Sequence, residues 1–253
     1  MNEINNTTIK IIEKKPFCIF KIENFFSNEF YEELKFSFPI INDYQNLINN
    51  NHLKFSINSE NHDHYEKYLK NNSSFLKLKN IIEKKDFFNL FKNKLGNVFL
   101  ESRKSDLVSF LKILRPYKYN SIPKKKFIDI FFCNVRSKIQ YSYILNEGKI
   151  VPHTDGVSKL LSLMIYFPEN ENDEINNGTT LWNSKIKNFG NKHINNQKDL
   201  DLFLKQSNKI YETPFEKNVV YGFIKNSNSW HSVNTINLYP EYIRKSININ
   251  FFI

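Results

Sequence analysis

Alanine is absent from this 253-residue chain, glycine occurs 6 times and proline 8 times, and only 4 of the 36 basic residues are arginine. Asparagine supplies 38 positions, and Ile, Phe, Tyr and Lys are plentiful, the residue set of A- and T-rich codons. The formal net charge of +10 is therefore largely compositional, and it does not by itself argue for a polyanionic partner. The cluster Lys124-Lys125-Lys126 reads as a solvated loop, and no DNA- or RNA-binding signature accompanies it, so no specific nucleic-acid partner is expected. Two cysteines are too few for a disulfide framework or a Cys-rich zinc module. Cys18 (PFCIF) and Cys133 (IFFCNV) both sit in apolar runs that predict buried, inert thiols. No run of 18 apolar residues exists, which excludes a membrane-spanning helix, and the first fifteen residues lack the apolar stretch of a secretory signal. A cytoplasmic protein with no membrane partner is the expectation, and 40% hydrophobic residues suffice for one or at most two domains.

The texture of the chain changes near Pro123. Residues 1–124 read as a strand over Lys15–Ile22 followed by helices: Glu29–Phe36 with Ser27 in capping position, a short helix near Tyr65–Leu69, and a stretch of helical periodicity from Phe75 to Phe91 with Leu76, Leu78, Ile81 and Ile82 placed at threes and fours. Residues 42–73 are otherwise polar and read as loops. A further amphipathic segment, 106–114, ends before Pro116. Residues 125–253 alternate instead, with strands expected at Ile128–Val135, Ile139–Leu145, Lys149–His153, Leu160–Phe167, Thr179–Trp182, Asn218–Ile224, Trp230–Val233 and Ile243–Phe252. Eight short strands without intervening helices predict a sandwich, barrel or jelly roll. Between them lies a polar insertion, 183–216, with a small helix near Asp199–Lys205. Both parts are expected to form one integrated domain.

His153-Thr154-Asp155 follows a predicted strand, where residues two apart share a face and can hold one ion together. A decoy, His64-Tyr65-Glu66, stands in a helical segment, where residues two apart diverge by about 200°. His193 falls in the polar insertion and is expected to be exposed. His231, in SWHSVN, lies between two predicted strands. Two imidazoles and one carboxylate that leave open positions make the donor set of non-haem Fe(II) oxygenases. Arg244 opens the last strand and shares a face with Ser246; a planar guanidinium grips a carboxylate through two parallel hydrogen bonds, and a neighbouring hydroxyl adds a third.

The series His153-x-Asp155, LSLMIYFPEN, NNGTTLW, WHSV and RKS resembles the Fe(II)- and 2-oxoglutarate-dependent dioxygenase superfamily, in particular its prolyl-hydroxylase-like branch. The likeness covers roughly residues 125–253, and PFCIFKIENFFSNEFYEEL resembles the opening of such chains. Asn177-Gly178 departs from the usual Gly-Gly, a turn that Asn fits through its tolerance of the left-handed conformation. The resemblance implies a mainly β fold, a double-stranded β-helix or jelly roll with an N-terminal helical support region. It implies Fe(II) held by His153, Asp155 and His231, with 2-oxoglutarate bound by Arg244 and Ser246 and touched by Tyr143 or Tyr166. It also implies O2-dependent hydroxylation of a small-molecule or peptide substrate, with release of succinate and CO2. Asp155 argues against halogenation, for which the superfamily carries a small residue there. The alternatives are a cupin-like metalloprotein or isomerase, which needs no paired Arg244 and Ser246, and a non-catalytic basic module. Segments 183–216 and 42–73 are the expected lids.

Overall fold

The computed structural model describes residues 3–5, 8–39, 48, 52–59, 62–103, 117–119, 133–170, 177–188 and 190–253. The expected helix at 106–114, strand residues 128–132, Lys124–Lys126 and the Cys133 side chain lie outside the described residues. The elements run β1 (Lys10–Glu13), β2 (Ile19–Ile22), α1 (Asn28–Phe36), β3 (Lys54–Asn58), α2 (His62–Lys70), α3 (Ser73–Ile82), α4 (Lys85–Arg103) and β4 (Tyr117–Tyr119). They continue β5 (Cys133–Leu145), β6 (Ile150–Thr154), β7 (Lys159–Tyr166), β8 (Thr180–Ser184), β9 (Lys192–His193), α5 (Gln197–Lys205), β10 (Ser207–Glu212), β11 (Val220–Ile224), β12 (Trp230–Val233) and β13 (Ile243–Phe252).

Two antiparallel sheets make a jelly-roll core. The larger has the order β1-β2-β11-β7-β13-β5-β3, with β4 paired in parallel to β5, and the smaller has the order β10-β8-β12-β6-β9. Alternation sorts the larger sheet's side chains between two environments. Ile139, Tyr141 and Tyr143 of β5 and Ile247, Ile249 and Phe251 of β13 join a buried cluster with α1 to α4 through Phe30, Leu34, Leu69, Phe75, Leu78, Ile82 and Phe91. Their neighbours Gln140, Ser142, Arg244, Ser246, Asn248 and Asn250 face the second sheet across a cavity. Apolar contacts close the core on either side of that cavity: Met164, Tyr166, Leu181 and Phe223 on one, Ile144, Val233 and Tyr242 on the other.

The helices start where capping chemistry allows. Ser27 accepts a hydrogen bond from the Phe30 amide at 3.2 Å, Asn72 from Phe75 at 3.2 Å, and Asn196 from Asp199 at 2.9 Å. The periodic stretch from Phe75 to Phe91 is helical, divided between α3 and α4, and Leu76 is 42% exposed on the outer face of α3. Gly96, at φ 48°, kinks α4. Cys18 is buried, and burial pushes its thiol up to about 12, as an inert core cysteine requires.

Two stretches read as loops contain strands. KFSIN forms β3, which pairs with β5 from Lys54↔Ile144 to Asn58↔Gln140. Within 183–216, β9 adds to β6, α5 packs Phe203 against Trp182 and Trp230, and β10 pairs with β8, so the insertion extends the smaller sheet. Local polarity misleads in both places because these strands lie at or near sheet edges, where one face is wet.

Candidate metal and cosubstrate site

His153, next to last in β6, pairs in register with His231 of the adjacent strand β12, so backbone pairing alone brings the two imidazoles together. Their ring centroids are 4.1 Å apart. Thr154, between His153 and Asp155, is buried and turned away: its hydroxyl donates to the Gly190 carbonyl at 2.8 Å and accepts from the Asn188 amide at 2.7 Å. That anchor fixes the end of β6 and leaves Asp155 on the side of the imidazoles. One ligand atom from each of His153, Asp155 and His231 lies within 4.8 Å of the others, the one such group of three among the described residues.

Hydrogen bonding settles which atoms are free. His153 Nδ1 lies 3.0 Å from the Val151 carbonyl and His231 Nδ1 lies 3.1 Å from the Ser229 carbonyl. A carbonyl only accepts, so each Nδ1 carries the proton and each Nε2 keeps a lone pair, the arrangement that orients metal-binding histidines. Burial lowers both imidazoles below the ordinary histidine range, His153 well below it with His231 adding to the effect. Burial would raise the Asp155 carboxyl, but Lys159, His231 and His153 outweigh it and hold the group below the usual carboxylate range. Lys159 Nζ sits 2.9 Å from Oδ1, whereas Oδ2 is buried, has no hydrogen-bond partner, and faces His231 Nε2 at 3.6 Å. Two imidazole lone pairs and an orphaned carboxylate oxygen fit a divalent ion such as Fe(II).

Arg244 lies in the same cavity, whose volume is about 120 Å³. It is 2% exposed. Its Nε donates to the Asn177 carbonyl, Nη1 to Ser246 Oγ at 3.4 Å, and its guanidinium stacks 5.0 Å from the Tyr166 ring and 5.2 Å from Phe215. Burial lowers its pKa, but a guanidinium stays charged. Gly178 itself is not at positive φ, so a left-handed conformation is not what requires glycine there. Gly178 serves close approach instead: a Cβ there would lie 1.6 Å from the Thr213 carbonyl oxygen.

The two tyrosines part company. Tyr166 supports Arg244, and its hydroxyl bonds Thr179 Oγ1 at 2.9 Å and Thr213 Oγ1 at 2.8 Å. Tyr143 points to the helical side of the sheet, stacks on Phe55 and donates to the Pro39 carbonyl at 2.6 Å, so it does not reach the cavity. His193 is exposed, as expected, yet pairs with His153 in register and stacks on it at 4.9 Å, 3° from parallel. His64 lies on α2, away from the cavity lining. Lys54, Lys159, Asn248 and Asn250 line the cavity and escaped the sequence reading. The polar alternation of R-x-S-x-N-x-N in β13 and K-x-S-x-N in β3 is the signal that could have found three of them.

No protein-family model and no curated protein matches the chain. Among solved structures the chain is similar to a prolyl 4-hydroxylase from Phytophthora capsici, at 9% identity and TM-score 0.48, over 92% of this chain and 58% of that one. It is similar also to a prolyl hydroxylase from Trichoplax adhaerens in complex with a hypoxia inducible factor oxygen degradation domain peptide fragment, at 13% identity and TM-score 0.44, over 92% and 83%. A third likeness is to an oxidoreductase of the 2OG-Fe(II) oxygenase family from Burkholderia pseudomallei, at 10% identity and TM-score 0.40, over 88% of each chain. No helix among the described residues is long and apolar enough to cross a membrane.

Proposed function

We propose that this chain is an Fe(II)- and 2-oxoglutarate-dependent dioxygenase that hydroxylates a C–H bond of a small-molecule or peptide substrate. The observation that carries the reading is one small cavity holding two free Nε2 lone pairs, the orphaned Asp155 Oδ2 and the buried, aromatic-stacked Arg244. Bound there, Fe(II) with 2-oxoglutarate and O2 supplies the oxidising chemistry that yields succinate, CO2 and a hydroxylated product. His153, Asp155 and His231 hold the ion from one side and leave its remaining positions to ligands. Arg244, held by Asn177 and the two rings, presents its remaining N–H groups to the distal carboxylate of the cosubstrate. Ser246 accepts from Arg244, so its own proton is free to donate to that carboxylate. Ile150, Met164, Phe223 and Val233 give the cavity an apolar part that excludes water. The paired Arg244 and Ser246 favour this reading over a cupin-like metalloprotein, which has no use for a buried carboxylate clamp. Anaerobic addition of Fe(II) and then 2-oxoglutarate is expected to produce a weak visible charge-transfer band. A folded, metal-loaded protein that gives no band would overturn the proposal.

A further inference from the structure

The cavity carries more positive charge than the proposed reaction uses. Lys54, Lys159 and Arg244 line it, and Asp155 is the only carboxylate among the described residues that do. Three cations against one anion leave two positive charges. Fe(II) and doubly ionised 2-oxoglutarate cancel each other, so the excess survives loading. Lys159 is matched by Asp155 and Arg244 is committed to Asn177, Ser246 and its aromatic stack. Lys54 is the remaining cation.

Lys54 opens β3, the edge strand of the larger sheet, and pairs with Ile144, which sets its side chain on the cavity face. The preceding Leu53 sits at φ 46°, a strained conformation for a branched apolar residue, where the chain turns into the strand. Its ammonium is within electrostatic reach of Asp155, Arg244 and Lys159, and through Asp155 of the metal triad. Burial, with Arg244 and Lys159 adding to it, pushes Lys54 down to about 8. An ammonium placed beside two other cations in a confined space is destabilised until an anion joins it.

We propose that the substrate carries an oxyanion group, a carboxylate or a phosphate, which pairs with Lys54 beside the metal triad, so that the enzyme acts on an acidic molecule. This rests on the oxygenase reading, because the unused charge is counted after iron and 2-oxoglutarate are in place. The ammonium is a point charge without the planar fork of arginine, so it serves carboxylate and phosphate alike.

The test uses the full chain loaded with Mn(II) in place of Fe(II) and saturated with 2-oxoglutarate. Acetate and inorganic phosphate are the probes, each titrated while Mn(II)-induced relaxation of its ¹³C or ³¹P nucleus is followed. Saturable relaxation is expected for at least one anion, and the preferred one identifies the acid group. Lys54→Met and Lys54→Gln are expected to weaken that anion about 10-fold or more, Lys54→Arg to retain it within about threefold, and all three to keep 2-oxoglutarate affinity within about twofold. Two variants with different side-chain polarity guard against a folding defect in either. Absence of saturable relaxation with both anions, or undiminished binding in the neutral variants, would overturn the proposal. So would a loss of 2-oxoglutarate affinity in those variants, which would make Lys54 part of the cosubstrate clamp. Failure of the unaltered protein to bind 2-oxoglutarate at all is a separate result, and it removes the oxygenase reading before any anion is added.

Discussion

The two oxygens of Asp155 face different partners, Oδ1 the ammonium of Lys159 at 2.9 Å and Oδ2 the Nε2 of His231 at 3.6 Å. Asp155→Ala therefore does two things of the same sign. It deletes the anionic ligand and leaves the Lys159 charge beside two imidazoles, repelling any cation. Stoichiometric iron is expected to disappear, as measured by metal analysis after anaerobic desalting, with the circular dichroism of the fold retained. Retained stoichiometric iron would mean that another carboxylate holds the ion. Arg244→Ala removes a charge-assisted clamp worth about 1.5–3 kcal/mol per hydrogen bond. The 2-oxoglutarate requirement for succinate release is expected to rise about 10- to 1000-fold. The residues behind both predictions were legible because strand alternation puts His153 with Asp155, and Arg244 with Ser246, on shared faces. The same rule separates Tyr143 from them: Gln140 and Ser142 are the polar, cavity-facing positions of β5, and Tyr143 falls on the opposite parity with Ile139 and Tyr141. Lys159 was not legible, since a lysine at the start of a strand looks the same whether it meets water or a buried carboxylate.

At the level of elements, the strand pattern of the second half predicted β12 and β13 to the residue, because each is bounded by turn residues and fully engaged in pairing. The edge strands β3 and β10 were hidden by their polarity, and with β3 the sequence lost Lys54. The link between β8, β10 and Arg244, the proposed cosubstrate clamp, is similarly invisible in one dimension. Thr213 follows β10; its amide donates to the Thr179 carbonyl at 3.0 Å and its hydroxyl accepts from the Thr179 amide at 2.7 Å, directly beside Gly178. Asn177, one residue earlier, gives Arg244 its carbonyl. Gly178→Ala would force a methyl group into the Thr213 backbone, an overpacking that costs about 1–3 kcal/mol. The expected outcome is a lower thermal midpoint together with weaker 2-oxoglutarate binding, while metal affinity, set by β6 and β12, stays close to that of the unaltered protein. Calorimetric titration of each ligand separates the two. Equal losses for metal and cosubstrate would show that the strain spreads across the smaller sheet instead of acting through Asn177.

Across the whole molecule, three buried or half-buried imidazoles are held neutral at a cost that appears when protons are added. His153, His231 and half-buried His52 are each lowered chiefly by burial, with Lys149 and Lys54 contributing at His52 and His231 repelling His153. In the unfolded chain these groups titrate near about 6.5. Below that pH the unfolded state binds protons that the folded state refuses, so folding stability is complete above the unfolded value and falls as pH drops towards the lowered folded values. Each histidine contributes up to about 1.4 kcal/mol per pH unit inside its window. Asp155 adds nothing in that range, because its lowered pKa places its contribution below the ordinary carboxylate value of about 3.9. Urea midpoints of the metal-free protein are therefore expected to fall between pH 7 and pH 5. A divalent ion binds only the neutral imidazoles, so it should raise the midpoint at pH 7 and keep that effect until the pH falls through the lowered folded values, where protons displace it. His153→Gln should flatten the acid slope of the metal-free protein by removing one refused proton, and abolish the metal-dependent rise. A metal-free midpoint that does not move over this range would contradict the buried, Nδ1-protonated imidazoles from which the site is built.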